Sequence, residues 1–191
     1  MTIYWGRAIN AILGLAFLGT LTGCFFADSV HRDPSSPSLL LQVPFVEQKG
    51  NFCGPAAVAM VLSFYGLPVS QQEVAEKTFT PSLNASLLPD LENYVNGLPG
   101  FAALSASLSL EALEKKIQAG YPTIILVDEG VGPYQVLHYM VVVGIDRSQD
   151  KIVCHTRKDM NKVFRSGYFL KKWQKMDNLA LIILPEETQV R

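Results

Sequence analysis

The sequence predicts an α+β domain. Helix-type patterning fills the first half after residue 39, β-branched runs fill the second, and turn residues separate the runs. The stretch from Leu39 to Arg191, about 150 residues, is long enough to bury one core. Helices followed by strands imply an antiparallel sheet rather than an alternating parallel one.

The chain before that domain reads as targeting and tether. Arg7 supplies a short positive region, Ala8 to Leu21 an apolar core, and Leu21-Thr22-Gly23-Cys24 leads into polar sequence. The apolar run falls short of the roughly 20 residues that span a bilayer. Leu-Thr-Gly-Cys resembles a bacterial lipobox, which implies removal of residues 1–23 and diacylglyceryl attachment at Cys24. Phe25, where retention would call for Asp, implies an outer-membrane anchor facing the periplasm. Residues 24–38 then form a flexible tether, because Asp28 to Ser38 lacks the apolar side chains that would offset ordering. His31 belongs to that solvated tether.

Within the domain, Val43 to Val46 form an extended apolar entry and a polar loop carries Gln48. Cys53 then opens a helix: Pro55 suits a first turn, where its missing N–H costs nothing, and Ala56 to Tyr65 run on without a breaker. Ser70 and Glu73 form a capping box for a helix through Lys77. A loop marked by Pro81 and Asn84 leads to a helix from Pro89 to Asn96, closed by Gly97. Phe101 to Leu110, rich in Ala, Ser and Leu, carries no pattern that assigns it. Ser109 caps an amphipathic helix with Leu110, Leu113 and Ile117 on one face and Gly120 at its end.

Strands are expected at Thr123–Val127, His138–Ile145, Lys151–Thr156, Lys162–Phe164 and Leu179–Leu184. Ser166 to Met176 reads as a helix with Phe169, Leu170 and Trp173 on one side.

The chemistry-bearing residues are few. A thiol at a helix N-terminus is biased toward thiolate by the dipole and the unpaired N–H groups, so Cys53 is a candidate nucleophile. A lone Cys on an apolar helix is more often a packed small hydrophobe. Gln48, a few residues upstream, could join the Cys53 backbone N–H in stabilising an oxyanion. The loop from Asp128 to Gln135, with Gly130, Gly132 and Pro133, delivers His138 to the head of a strand, where a base can be held on a rigid support.

Hydrophobic residues make up 49% and the net charge is -1, which argues against nucleic acid as a partner. No Cys-x-x-Cys, His-x-x-x-His or Gly-rich phosphate loop occurs, so neither a metal nor a cofactor is expected. Cys154 and His155 are strand neighbours that face opposite ways, with Cys154 read as a packed residue.

Gln48, Cys53-Gly54-Pro55-Ala56-Ala57, Met60-Val61-Leu62 and His138-Tyr139-Met140-Val141-Val142-Val143-Gly144 together resemble the bacterial papain-like cysteine peptidases related to double-glycine leader peptidases. The resemblance spans about Val43 to Pro185. It implies a papain-like fold, with the nucleophile on a helix N-terminus in the helical half and the His on the sheet. It also implies a Cys53/His138 thiolate and imidazolium pair, Gln48 at the oxyanion, and an acyl-enzyme formed on a peptide or unfolded protein.

In such folds an Asp or Asn on the next strand orients the His, and the matching place here is Val153-Cys154-His155-Thr156, which has no carboxylate. His155 is the side-chain substitute expected, with Thr156, a backbone carbonyl or Asp146 as alternatives. The expected function is therefore a lipid-anchored extracytoplasmic cysteine peptidase. The alternatives are a degenerate module that binds a peptide or partner protein, and acyl transfer to an acceptor other than water.

Overall fold

The computed structural model describes residues 39–186. The stretches read above as signal segment, 1–23, and tether, 24–38 with Cys24 and His31, and residues 187–191 lie outside the described residues.

Among the described residues five α-helices and eight strands follow one another: α1 Cys53–Phe64, α2 Gln71–Thr78, β1 Phe79–Thr80, β2 Ala85–Ser86, α3 Leu88–Asn96, β3 Phe101–Ser107, α4 Leu110–Gln118, β4 Thr123–Asp128, β5 Leu137–Asp146, β6 Lys151–His155, β7 Lys162–Arg165, α5 Ser166–Trp173 and β8 Leu179–Pro185. The six-stranded sheet runs in the order β3-β8-β4-β5-β6-β7, and its paired strands are antiparallel. Its architecture is the expected α+β class.

Local signals set the helix ends. Ser70 Oγ accepts the Glu73 amide while the Glu73 carboxylate accepts the Ser70 amide, completing the capping box of α2. Ser109 Oγ accepts the Ala112 amide at the start of α4, and Gly120 beyond its end takes φ +86°, open to glycine at no steric cost.

Two apolar layers sandwich the sheet. On one face α1, α2 and α3 bring Val58, Val61, Leu62, Val74 and Leu91 onto Ile124, Tyr139, Val141 and Leu181. On the other, α4 and α5 bring Leu113, Ile117, Phe169 and Trp173 onto Ile125, Val127, Met140 and Val142. Cover on both faces explains why β4 and β5 read as unbroken apolar runs rather than alternating ones.

The structure adds two pieces that patterning left unassigned. Phe101–Ser107 is an edge strand, held by its ladder with β8 despite the low strand propensity of Ala and Ser. The Pro81–Asn84 loop closes a short hairpin between β1 and β2, with Asn84 at φ +51°.

Candidate active site

Cys53 is the first residue of α1. No side chain caps that helix, and its first turn carries no acidic residue. The amides of the turn and the positive end of the dipole therefore face the thiol uncompensated. The sulfur opens onto a cleft of about 240 Å³ lined by Gln48, Asn51, Asn84, Val136, Leu137 and Arg157.

The Gln48 loop is built by backbone contacts. Gln48 N–H donates to the Arg157 carbonyl at 3.0 Å. The half-turn Lys49–Phe52 closes with Phe52 N–H donating to the Lys49 carbonyl, with Gly50 at φ +51°. Gln71, at the start of α2 and only 6% exposed, clamps the loop from behind: its Oε1 accepts the Lys49 amide and its Nε2 donates to the Glu47 carbonyl, both at 2.8 Å. The Gln48 amide donates one N–H to the Gly50 carbonyl within its own loop, and its Oε1 is buried without a partner among the described residues.

His138 is the second residue of β5, opposite Val127 on β4. Leu137 before it lines the cleft with Cys53. Tyr139 after it lies against Gly54, where an added Cβ would come within 3.2 Å of the Tyr139 ring. The sheet thus brings the head of β5 onto the first turn of α1.

The ring itself is buried, and neither Nδ1 nor Nε2 has a hydrogen-bond partner among the described residues. Thiol and imidazole are not hydrogen-bonded, and His138 is not among the residues that line the Cys53 cleft; Val127 opposite it packs in the α4/α5 layer. Burial first, and the nearby Arg157 charge second, push the His138 pKa down to about 3. At neutral pH the buried ring is therefore held as a neutral imidazole.

The substitutes expected to orient His138 are engaged elsewhere. His155 Nε2 meets the Val43 carbonyl at 2.9 Å, and its Nδ1 accepts the Asn161 amide at 3.1 Å. Since Nδ1 accepts, Nε2 carries the proton and donates. Phe45 packs edge-on against the ring at 5.5 Å. Geometry gives the reason: His155 pairs with Val141, three residues up β5 from His138, which is about 10 Å along a strand. His155 thus fastens the entry segment to β6 and does not steady His138.

Asp146 lies at the far end of β5, accepting the Ser148 hydroxyl and the Gln149 amide. The Thr156 hydroxyl donates to Asp159. Cys154 is wholly buried beneath α5, burial pushes its thiol pKa up, and no disulfide joins it to Cys53.

Residues 40–181 match the family model described as the Peptidase_C39 like family. The chain belongs to the Peptidase_C39 like family. Solved structures agree on the fold. The peptidase domain of Streptococcus ComA, a bi-functional ABC transporter involved in quorum sensing, is 20% identical with a TM-score of 0.62, covering 75% of this chain and 98% of that one. A double glycine motif protease from an AMS/PCAT transporter, in complex with the leader peptide, is 18% identical with a TM-score of 0.62, covering 78% and 95%. The N-terminal peptidase C39 like domain of a toxin secretion ATP-binding protein from Vibrio parahaemolyticus is 14% identical with a TM-score of 0.55, covering 73% and 99%. No curated protein matches.

This C39-like chain is thus a cysteine peptidase-like module with the papain-like arrangement of helical half and sheet. Three residues that matter to its cleft were not singled out by sequence. Gln71 follows the Ser70 cap with no local pattern that marks it. Arg157 lies just past the end of β6 with no local pattern that marks it. Asp128 had a usable signal, Asp-x-Gly at a strand end: its Oδ1 accepts the Gly130 and Val136 amides at 2.7 and 2.9 Å. Those two bonds, followed by Lys175 at 3.3 Å from Oδ2, hold its carboxyl below the usual range. Asp128 so fixes the loop that delivers His138. Gly130 in that loop has no room for a side chain, since a Cβ would lie 1.8 Å from the Tyr134 carbonyl oxygen.

Proposed function

We propose that this C39-like chain is a cysteine peptidase of the bacterial envelope that hydrolyses peptide bonds through an acyl-enzyme on Cys53. The observation that carries the reading is the uncapped N-terminus of α1, which presents Cys53 to a cleft walled by the head of β5. Once substrate fills the cleft, neutral His138 turns onto the sulfur and takes the thiol proton as Sγ attacks the carbonyl carbon. The Cys53 amide and the spare N–H of Gln48 receive the oxyanion. The imidazolium then protonates the leaving amine, and water deacylates the thioester with His138 again as base. The neighbour bound to a leader peptide supports a peptide substrate.

Residues 1–38 complete the proposal as a cleaved signal and a tether lipidated at Cys24, holding the domain to the outer membrane on its periplasmic side. Radiolabelled palmitate incorporated by the full chain, and lost in Cys24→Ser, tests the anchor.

A second reading, a module that binds peptides without cutting them, draws on the unbonded His138 ring and the missing carboxylate. Mass spectrometry after incubation with a peptide library separates the two. New termini that disappear in Cys53→Ala and in His138→Ala support hydrolysis; retained peptides with no new termini support binding alone.

A further inference from the structure

We propose that Arg157 anchors a carboxylate of the substrate in the Cys53 cleft. This deepens the peptidase reading and rests on it for the word substrate. Arg157 is the one ionised side chain among the described residues that line the cleft; the rest are the neutral amides of Gln48, Asn51 and Asn84, the thiol, and apolar Ala85, Val136 and Leu137. A lone cation on an otherwise uncharged wall selects for an anion.

The guanidinium is also incompletely used. Nη1 meets Glu129 Oε2 at 2.9 Å, and its side chain remains 45% exposed. A guanidinium presents five N–H donors in a planar fork suited to bidentate carboxylate binding, so one contact to Glu129 leaves an edge for a second carboxylate. Position fits as well: the Arg157 carbonyl holds the Gln48 amide, placing the cation beside the loop expected to receive the oxyanion. Its charge also bears on His138, so a carboxylate on Arg157 would ease proton uptake by the base.

The carboxylate can come from a free C-terminus or from an acidic side chain. The test immobilises the full chain as Cys53→Ala, which keeps the cleft and stops turnover, and measures retention of three randomised neutral hexapeptide pools: C-terminal acids, C-terminal amides, and amides carrying one Glu. Retention of the acid pool or the Glu pool about tenfold above the plain amide pool, a free-energy difference of about 1.4 kcal/mol, is expected, and whichever pool is retained names the source. Arg157→Gln should erase the difference, Arg157→Lys should keep part of it, and Glu129→Gln should enlarge it by freeing the guanidinium. Equal retention of the three pools, or a preference that survives Arg157→Gln, overturns the proposal. Hydrolysis by the wild-type chain is read in parallel. Cleavage without carboxylate preference sinks only this inference, and carboxylate-dependent retention without cleavage sinks only the peptidase reading.

Discussion

Two buried histidines sit on neighbouring strands, each about 1% exposed, and they could hardly be treated more differently. His155 spends both ring nitrogens on backbone partners and packs on Phe45. His138 spends neither. A buried nitrogen without a partner costs about 1–3 kcal/mol in desolvation, so a fold would do better with an apolar ring at residue 138. The imbalance points to His138 as a group kept for its chemistry and to His155 as a structural rivet.

The difference can be broken from either side. The largest expected stability effect is at the rivet. His155→Phe strands the Val43 carbonyl and the Asn161 amide, and at about 1–3 kcal/mol for each group the loss should total about 2–6 kcal/mol, read by urea denaturation of the domain. A neutral result would mean that His155 does not fasten the entry segment. In the opposite direction, His138→Phe should raise stability by about 1–3 kcal/mol in the same measurement while abolishing peptide cleavage. Destabilisation there would remove the argument from the unpaired ring.

A smaller effect per unit sharpens the contrast by pH. The His138 pKa is near 3 in the fold and 6.5 as its ordinary value. Between those values the unfolded chain binds the proton and the folded one does not. Burying the ring thus adds no pH-dependent penalty above pH 6.5, and stability declines as pH falls from there toward 3, at about 1.4 kcal/mol per pH unit. His155, lowered mainly by burial, adds in the same direction. His138→Phe should flatten the acid limb of a stability-versus-pH curve. An unchanged limb would assign the acid sensitivity to other groups.

Much of this site was legible in the sequence, and the missing part has a physical cause. Cys53 and Pro55 announce a helix start because proline tolerates only the first turn, and His138 announces itself by following a Gly/Pro loop into a β-branched run. The roles of Gln71, Arg157 and Asp128 depend on contacts across 22, 28 and 47 residues of chain, which no local pattern encodes. His155 stood out in sequence because it lies on the strand after His138, where the resembled fold carries its orienting residue, whereas the β5/β6 register sets it opposite Val141. The edge strand Phe101–Ser107 was hidden for a similar reason, since its pairing partner lies in β8 at the far end of the chain.

The central claim is that His138 is the base for the thiol of Cys53. Its most direct test is the alkylation rate of the native domain by an iodoacetamide-tagged peptide, mapped by mass spectrometry at pH 7. The account predicts stoichiometric labelling of Cys53, no labelling of buried Cys154, and a rate for Cys53 that falls about 100-fold in His138→Ala, at the low end of what a positioned base contributes. Equal rates in the two proteins, or a Cys53 as inert as Cys154, would contradict it.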